Sequence, residues 1–230
     1  MGRKRIGMVG VGQSPRSDTL PGMIEVLGKD VEIIEKGALD GLTRKEIQSL
    51  YPKEGMYPIC TRLVDASQVT VGKQELIPRV QAKIEELNQE GVELIVLLCT
   101  GHFPKFTSRC LLVEAERVVN RCTEALVSDY HTMGFMVPLP EQVESARKEF
   151  SYLTPHIVVV SASPYKPREE MLQAAETLRE GKVDLVIMHC MGYTKEHKRI
   201  IREITGKPAL QANTMVAHTV AELLGPPTFP

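Results

Sequence analysis

The 230-residue chain lacks several features that would assign it quickly. It has no net charge to speak of: 28 Lys+Arg against 29 Asp+Glu leave −1, which argues against a polyanion-binding surface and so against nucleic acid as a partner. It has no long hydrophobic run. The apolar stretches at 94–99 and 157–160 fall far short of the ~20 residues of a membrane helix. The basic start Met1-Gly2-Arg3-Lys4-Arg5 leads into a run broken by Gly7, Gly10 and Gly12, without a small-residue cleavage site. No membrane association and a cytoplasmic location are therefore expected. Cysteine is scarce and odd in number, five in all, which excludes a disulfide scaffold and predicts reduced thiols. Walker-A, His-Glu-x-x-His and Gly-x-Ser-x-Gly patterns are absent.

What is present is a repeat. Leu94 to His102 reads as a buried strand delivering Cys99 to a glycine-containing turn, and Leu185 to Tyr193 does the same for Cys190. At an offset of 91 residues, Leu87 falls on Leu178, Val92 on Val183, Leu94 on Leu185, Cys99 on Cys190 and Gly101 on Gly192, while Glu93 meets Asp184. Around these runs, continuous apolar strands alternate with helical periods. Strands are predicted at 4–11, 31–35, 94–99, 134–139, 156–161, 185–190 and 208–210. Helices are predicted up to Gly28 from a cap at Ser17 or Asp18, from Thr43 through a capping box with Glu46, and over 73–90, 112–127, 141–152, 167–180, 195–205 and from Asn213 or Thr214 to 224. Tyr57–Leu63 and Gln68–Val71 read as a hairpin.

The pattern predicts an α/β protein of two similar Rossmann-like parallel-sheet units related by a pseudo-twofold, with a cleft between them. The first unit spans 1–110 with the hairpin insertion 57–71 and is joined by the C-terminal helix 211–230; the second spans 111–210. Ligands of such sheets bind beyond the carboxyl ends of the strands. That edge collects Ser14, Arg16, Lys36, Cys99, Thr100 and His102 from one half and Gln142, Ser161, Ser163, Tyr165, Cys190 and Tyr193 from the other.

Two cysteines on opposite walls are the arrangement of a two-base isomerase, in which a thiolate removes a C–H proton and the opposite thiol returns one to the other face. The competing reading makes both packing cysteines at strand ends. A helix N-terminus contributes only ~0.3–1 kcal/mol to an anion, so thiolate formation needs further help, from His102, Lys, Arg or substrate. Cys99-x-x-His102 with His189-Cys190 has the composition of a zinc set, but neighbours on a strand point to opposite faces, so no metal is assigned. Gly10-Val11-Gly12-Gln13-Ser14-Pro15 starts like a dinucleotide fingerprint, with Glu35 as a ribose-binding acid, yet Pro15 stands at the third glycine; no cofactor is assigned. Ser14 and Arg16 fit a carboxylate or other anion at a helix start, or an empty surface turn. Cys60, Cys110 and Cys122 read as structural, and Arg62 with Asp65 as a surface ion pair. The hairpin either reaches over the cleft or contacts a second copy in a homodimer.

Gly12-Gln13-Ser14-Pro15-Arg16, Gly37 to Leu42, Thr61-Arg62-Leu63, Leu97 to Gly101 and Gln211 to Val216 together resemble the AroM family over nearly the whole chain. Its name associates it with genes of aromatic amino-acid biosynthesis. More distantly, the duplicated halves are similar to the PLP-independent aspartate/glutamate racemase superfamily, with its hydantoin racemases, maleate isomerases and arylmalonate decarboxylases. That resemblance implies catalytic roles for Cys99 and Cys190, substrate contacts from their neighbours Thr100, Gly101, Gly192 and Tyr193, and a small carboxylate-bearing molecule as substrate. Racemases usually continue with Asn-Thr after the first cysteine and Thr-Glu after the second. Here Thr100-Gly101 and Met191-Gly192 stand there, which separates this chain from amino-acid specificity. The expectations are thus a cofactor-independent racemase or isomerase, a non-catalytic small-molecule-binding or regulatory protein of the same fold, or a one-cysteine lyase.

Overall fold

A computed structural model describes residues 3–28, 30–128 and 130–225; the predicted Pro226-Pro227 stop and the Met1-Gly2 start lie outside them. The first half runs β1 (Lys4–Gly10), α1 (Leu20–Leu27), β2 (Val31–Gly37), α2 (Arg44–Ser49), the hairpin β3 (Pro58–Arg62) and β4 (Gln68–Gly72), α3 (Lys73–Gln89), β5 (Leu94–Leu98), β6 (Leu111–Glu114) and α4 (Ala115–Leu126). The second half runs β7 (Met133–Val137), α5 (Val143–Phe150), β8 (Ile157–Ser161), α6 (Arg168–Glu180), β9 (Leu185–Met188), α7 (Lys195–Thr205), β10 (Ala209–Gln211) and α8 (Ala212–Leu224).

Two four-stranded parallel sheets result, ordered β2-β1-β5-β6 and β10-β9-β7-β8. Counted from the first strand of each half and read in the same direction, both orders are 2-1-3-4. The duplication is therefore one of topology, and a cysteine follows strand three each time. The repeat reaches into the packing. Gly7 of β1 leaves room for Leu87, whose Cδ1 would lie 2.7 Å from an added Cβ, and Gly134 of β7 leaves the same room for Leu178 at 2.8 Å. Glu93 and Asp184 are matched as well: each accepts a backbone N–H at the start of its first strand, Arg5 (3.2 Å) and Thr132 (3.0 Å), and donates its own N–H to that residue's carbonyl.

Alternation along the strands divides the core, because successive side chains point to opposite faces. Ile6, Met8, Leu94, Val96 and Leu98 join Met133, Phe135, Val137 and Ile187 in one continuous apolar cluster that connects the two sheets through α1, α4 and α8. Val9, Ile95 and Leu97 face the other way, under α3 and the hairpin, and Val186 and Met188 face α6 and α7. The last helix, α8, packs on α1 and α4 of the first half.

Some local expectations change. Residues 112–114, read as the start of a helix, belong to the edge strand β6, which runs in register with Leu94–Leu97, and the helix starts only at Ala115. Four residues are too few for periodicity to separate strand from helix. The first helix starts at Leu20 rather than beside Ser17 or Asp18, because the Asp18 carboxylate is taken by Arg16. The Thr43–Glu46 capping box is present with both of its bonds.

Candidate functional site

The carboxyl ends of β1, β5, β7 and β9 converge on one small cavity of ≈ 40 Å³. Cys99 and Cys190 both line it, as do Thr100, Gly101, Met191 and Gly192 that follow them. The two cysteine turns have the same construction. The Gly101 N–H donates to Cys99 Sγ (3.4 Å), and the Gly192 amide, at the matching position, works against the rise in the Cys190 pKa. Neither glycine has space for a side chain: a Cβ on Gly101 would lie 2.7 Å from Ile59, and one on Gly192 would lie 2.3 Å from the Tyr165 hydroxyl. Cysteine-x-glycine is thus a unit in which the glycine lets its amide reach the sulfur beneath a close neighbour.

Burial opposes charge on every thiol here. It pushes Cys99 up to about 11, against the Gly101 N–H and the Arg16 charge, and Cys190 up to about 12, with Cys99 itself adding to the rise. Both are neutral thiols at neutral pH. A third cysteine, Cys60 on β3, also lines the cavity, and burial holds its thiol well above the ordinary range. The sequence offered no partner for Cys60; only the docking of the hairpin brings it in.

Arg16 is the buried cation of the site, 4% exposed. Its Nε and Nη2 donate to Asp18 at 2.9 and 2.7 Å, and Nη2 also reaches Thr19 and, across the cleft, the Tyr165 hydroxyl at 3.0 Å. Other bonds cross the same boundary. Thr100 Oγ1 donates to the His189 carbonyl (3.1 Å), Gln142 Nε2 to the Pro58 carbonyl (2.8 Å), Ser163 Oγ to Gln68 Oε1 (2.5 Å) and Thr19 Oγ1 to the Met191 carbonyl (3.3 Å). Through Pro58 and Gln68 the hairpin is a clamp laid from the first unit onto the second. Its charges have other partners than each other: Arg62 stands 3.6 Å from Asp18, and Asp65 pairs with Arg44.

Of the residues singled out from the sequence, Cys99, Cys190, Arg16, Thr100, Gly101, Gln142 and Gly192 line the cavity. Ser14 does not: its amide and hydroxyl are satisfied by the Asp40 carboxylate at 2.7 and 2.6 Å. Ser161 ends β8 away from the lining, and Ser163 lies behind it, accepting from the Tyr165 N–H at 3.1 Å. Tyr193 is fully buried in the core, its hydroxyl bound to the Ala162 carbonyl. His189 lines the cavity but is held as a core side chain, against Phe135 and 2.8 Å from Asn120 Oδ1, and burial pulls its pKa down to about 3. His102 stays at the surface beside Glu116, and among the described residues no His, Cys, Asp or Glu group is placed to hold a metal ion. The Gly10-Val11-Gly12 turn closes on the hairpin: a Cβ on Gly12 would lie 2.3 Å from the Arg62 carbonyl oxygen, and Glu35 accepts from the Arg16 N–H.

The profile of the family described as AroM protein matches residues 6–224, almost the full chain. This chain belongs to the AroM family. No curated protein matches the sequence. The fold of this AroM-family protein is that of solved racemases and a decarboxylase. Allantoin racemase from Pseudomonas fluorescens superposes with a TM-score of 0.59 at 16% identity, covering 96% of this chain and 90% of its own. Glutamate racemase from Aquifex pyrophilus gives 0.58 at 13%, covering 95% and 83%. Arylmalonate decarboxylase gives 0.58 at 13%, covering 97% and 94%. Among the described residues of the AroM-family chain, no helix is long and apolar enough to cross a membrane.

Proposed function

We propose that this protein is a cofactor-independent racemase or isomerase of a small carboxylate-bearing molecule, with Cys99 and Cys190 as the opposed acid and base. One observation carries the reading: two cysteines, each following strand three of a duplicated 2-1-3-4 sheet and each two residues ahead of a glycine, line a single cavity. Inversion at carbon needs a proton acceptor on one face and a donor on the other, and a duplicated sheet supplies both. Solved proteins of the same fold are named for glutamate and arylmalonate, which carry carboxylates, and the buried Arg16 cation is the group in this cavity that such an anion would meet. Thr100, Gly101, Gln142 and Gly192 form the remaining lining around it.

The resting cavity does not hold the reactive form. Ionising a thiol raised to about 11 costs about 5 kcal/mol at pH 7. A helix terminus at ~1 kcal/mol does not offset this. Opening the cleft offsets about 3 kcal/mol of it, by letting water return the thiol toward its free value of ~8.5, and leaves about 2 kcal/mol for the substrate and nearby cations to supply. Opening is needed in any case, since ≈ 40 Å³ has room for little more than a water or two. The hairpin clamp and the Arg16–Tyr165 bond are the contacts that must part.

The same closure and neutral thiols favour a second reading, a small-molecule-binding or regulatory protein that retains the fold without the chemistry. Incubation of the full chain in deuterated buffer with a panel of α-amino and α-hydroxy acids separates the two. Wash-in of deuterium at the acidic carbon, lost in Cys99→Ala and Cys190→Ala, is expected. Wash-in that survives both substitutions ends the two-base reading. Binding of an acid without exchange establishes the second.

A further inference from the structure

A second concavity lies at the opposite edge of the second sheet. It opens where β7, β9 and β10 begin, at Met133, Leu185 and Ala209, and α7 and α8 form its walls. Its volume is ≈ 860 Å³, far larger than the cysteine cavity and within the ~300–1,000 Å³ that small-molecule sites occupy. The floor and sides are apolar, from Val26, Leu126, Leu185, Leu210 and Met215, with Leu126 49% exposed.

The charges at its rim are sorted. Helix α7 carries four cations, and two are spoken for: Lys195 pairs with Glu25, and Arg199 with Glu196 and Glu203, while Lys207 beyond the helix pairs with Asp184. Asp184 is the carboxylate facing the groove, and it also accepts the Thr132 N–H. Lys198 and Arg202, which line the groove four residues apart on one face of α7, have no carboxylate partner among the described residues. Burial and the neighbouring Arg202 charge lower the Lys198 pKa, so the pair repels and gains from an added anion. His131, Gln211, Thr214 and His218 add uncharged polar groups to the lining, the first held by Ser128.

We propose that this groove binds a small amphipathic anion, its apolar body against Leu185, Leu210 and Met215 and its acidic head between Lys198 and Arg202. Two adjacent cations match one carboxylate or sulfonate, and the apolar volume matches a medium acyl chain or a fused aromatic body. The site is independent of the cysteine cavity and of what happens there.

The test is calorimetric titration of the full chain with decanoate and with 2-naphthoate, and with 1-decanol as the uncharged counterpart. Saturable one-to-one binding of at least one of the acids is expected, and which one separates an acyl from an aromatic ligand. Replacing both cations, Lys198→Gln with Arg202→Gln, is expected to weaken the acid about tenfold or more, equivalent to ~1.4 kcal/mol, and to leave decanol unchanged. Met215→Trp, which fills the groove without touching the charges, is expected to abolish both, while Cys99→Ala and Cys190→Ala leave binding as it was. Absence of saturable binding by either acid overturns the proposal, as does acid binding untouched by removing the two cations. Sedimentation showing a dimer that Leu126→Glu dissociates also overturns it, since a second copy of the chain would then occupy the groove.

Discussion

The loops that leave Cys99 and Cys190 start alike and end differently. Both cysteines follow strand three of the same sheet order, and each is followed two residues on by a glycine pressed under a close neighbour. After Gly192 the second half forms α7, opened by a Thr194 cap, before β10. After Gly101 the first half reaches β6 through 102–110 without a helix. The covers differ too: Ile59 of the hairpin sits on Gly101, and Tyr165 sits on Gly192. Duplication therefore set the positions of the two sulfurs, while unshared segments set their surroundings. The Cys99 charge adds to the rise that burial imposes on Cys190.

The equivalence of the two halves is most open to attack at the sulfurs. Cys99→Ala and Cys190→Ala are each expected to lower deuterium exchange by about 10²–10⁴-fold. The double variant should fall little further, because groups acting as a unit are not additive. Exchange kept by one single variant would make the halves unequal and point to a one-cysteine lyase. Next is Arg16, which ties both units together. Arg16→Met leaves Asp18 buried without its bidentate partner, and a loss of about 3–5 kcal/mol in urea denaturation is expected. Tyr165→Phe, removing only the cross-cleft bond, should cost about 1 kcal/mol.

The glycines sharpen the contrast between the covers. Overpacking costs about 1–3 kcal/mol. Gly192→Ala should fall at the upper end, because it meets the Tyr165 ring and Pro164 together, and Gly101→Ala at the lower, because it meets chiefly the end of the Ile59 side chain. Equal losses in thermal or urea unfolding would remove the distinction. At neutral pH the smallest effect is that of the thiols, which appears only as the pH is raised. Burial raises Cys99 and Cys190 to about 11 and about 12, above the unfolded value, so between those limits the unfolded chain releases protons that the folded chain keeps. Their contribution to stability is full below about pH 8.5 and declines as pH rises toward 11 and 12, by about 1 kcal/mol per thiol near pH 9.5. Urea midpoints across that range should flatten in the Cys99→Ser and Cys190→Ser variants.

The repeat was legible because it is written in residues near each other in sequence. The glycine after each cysteine recurs for the close neighbour above it, and Leu87 with Leu178 and Glu93 with Asp184 recur because each meets the first strand of its own half. The parallel two-unit sheet followed from the alternation of apolar strands and helical periods. Strand β6 was hidden by its brevity and by an exposed Leu111 at a sheet edge. Of the residues expected at the site, those in the turns after β5 and β9, Cys99 to Gly101 and Cys190 with Gly192, line the cavity. Other positions depend on a distant segment: Ser14 is taken by Asp40, Tyr193 reaches Ala162 in the core, and Cys60 arrives with the hairpin.

What the sequence alone determined is the duplicated frame, since hydrophobic period and turn chemistry are properties of short segments. Whether the cysteines are exposed or sealed, neutral or charged, was left to the tertiary structure. Their ionisation depends on how much water and charge surround each sulfur. Around Cys99 and Cys190 that is decided by the hairpin, Arg16 and Tyr165, which reach the cavity from separate parts of the chain and meet only when the two units close.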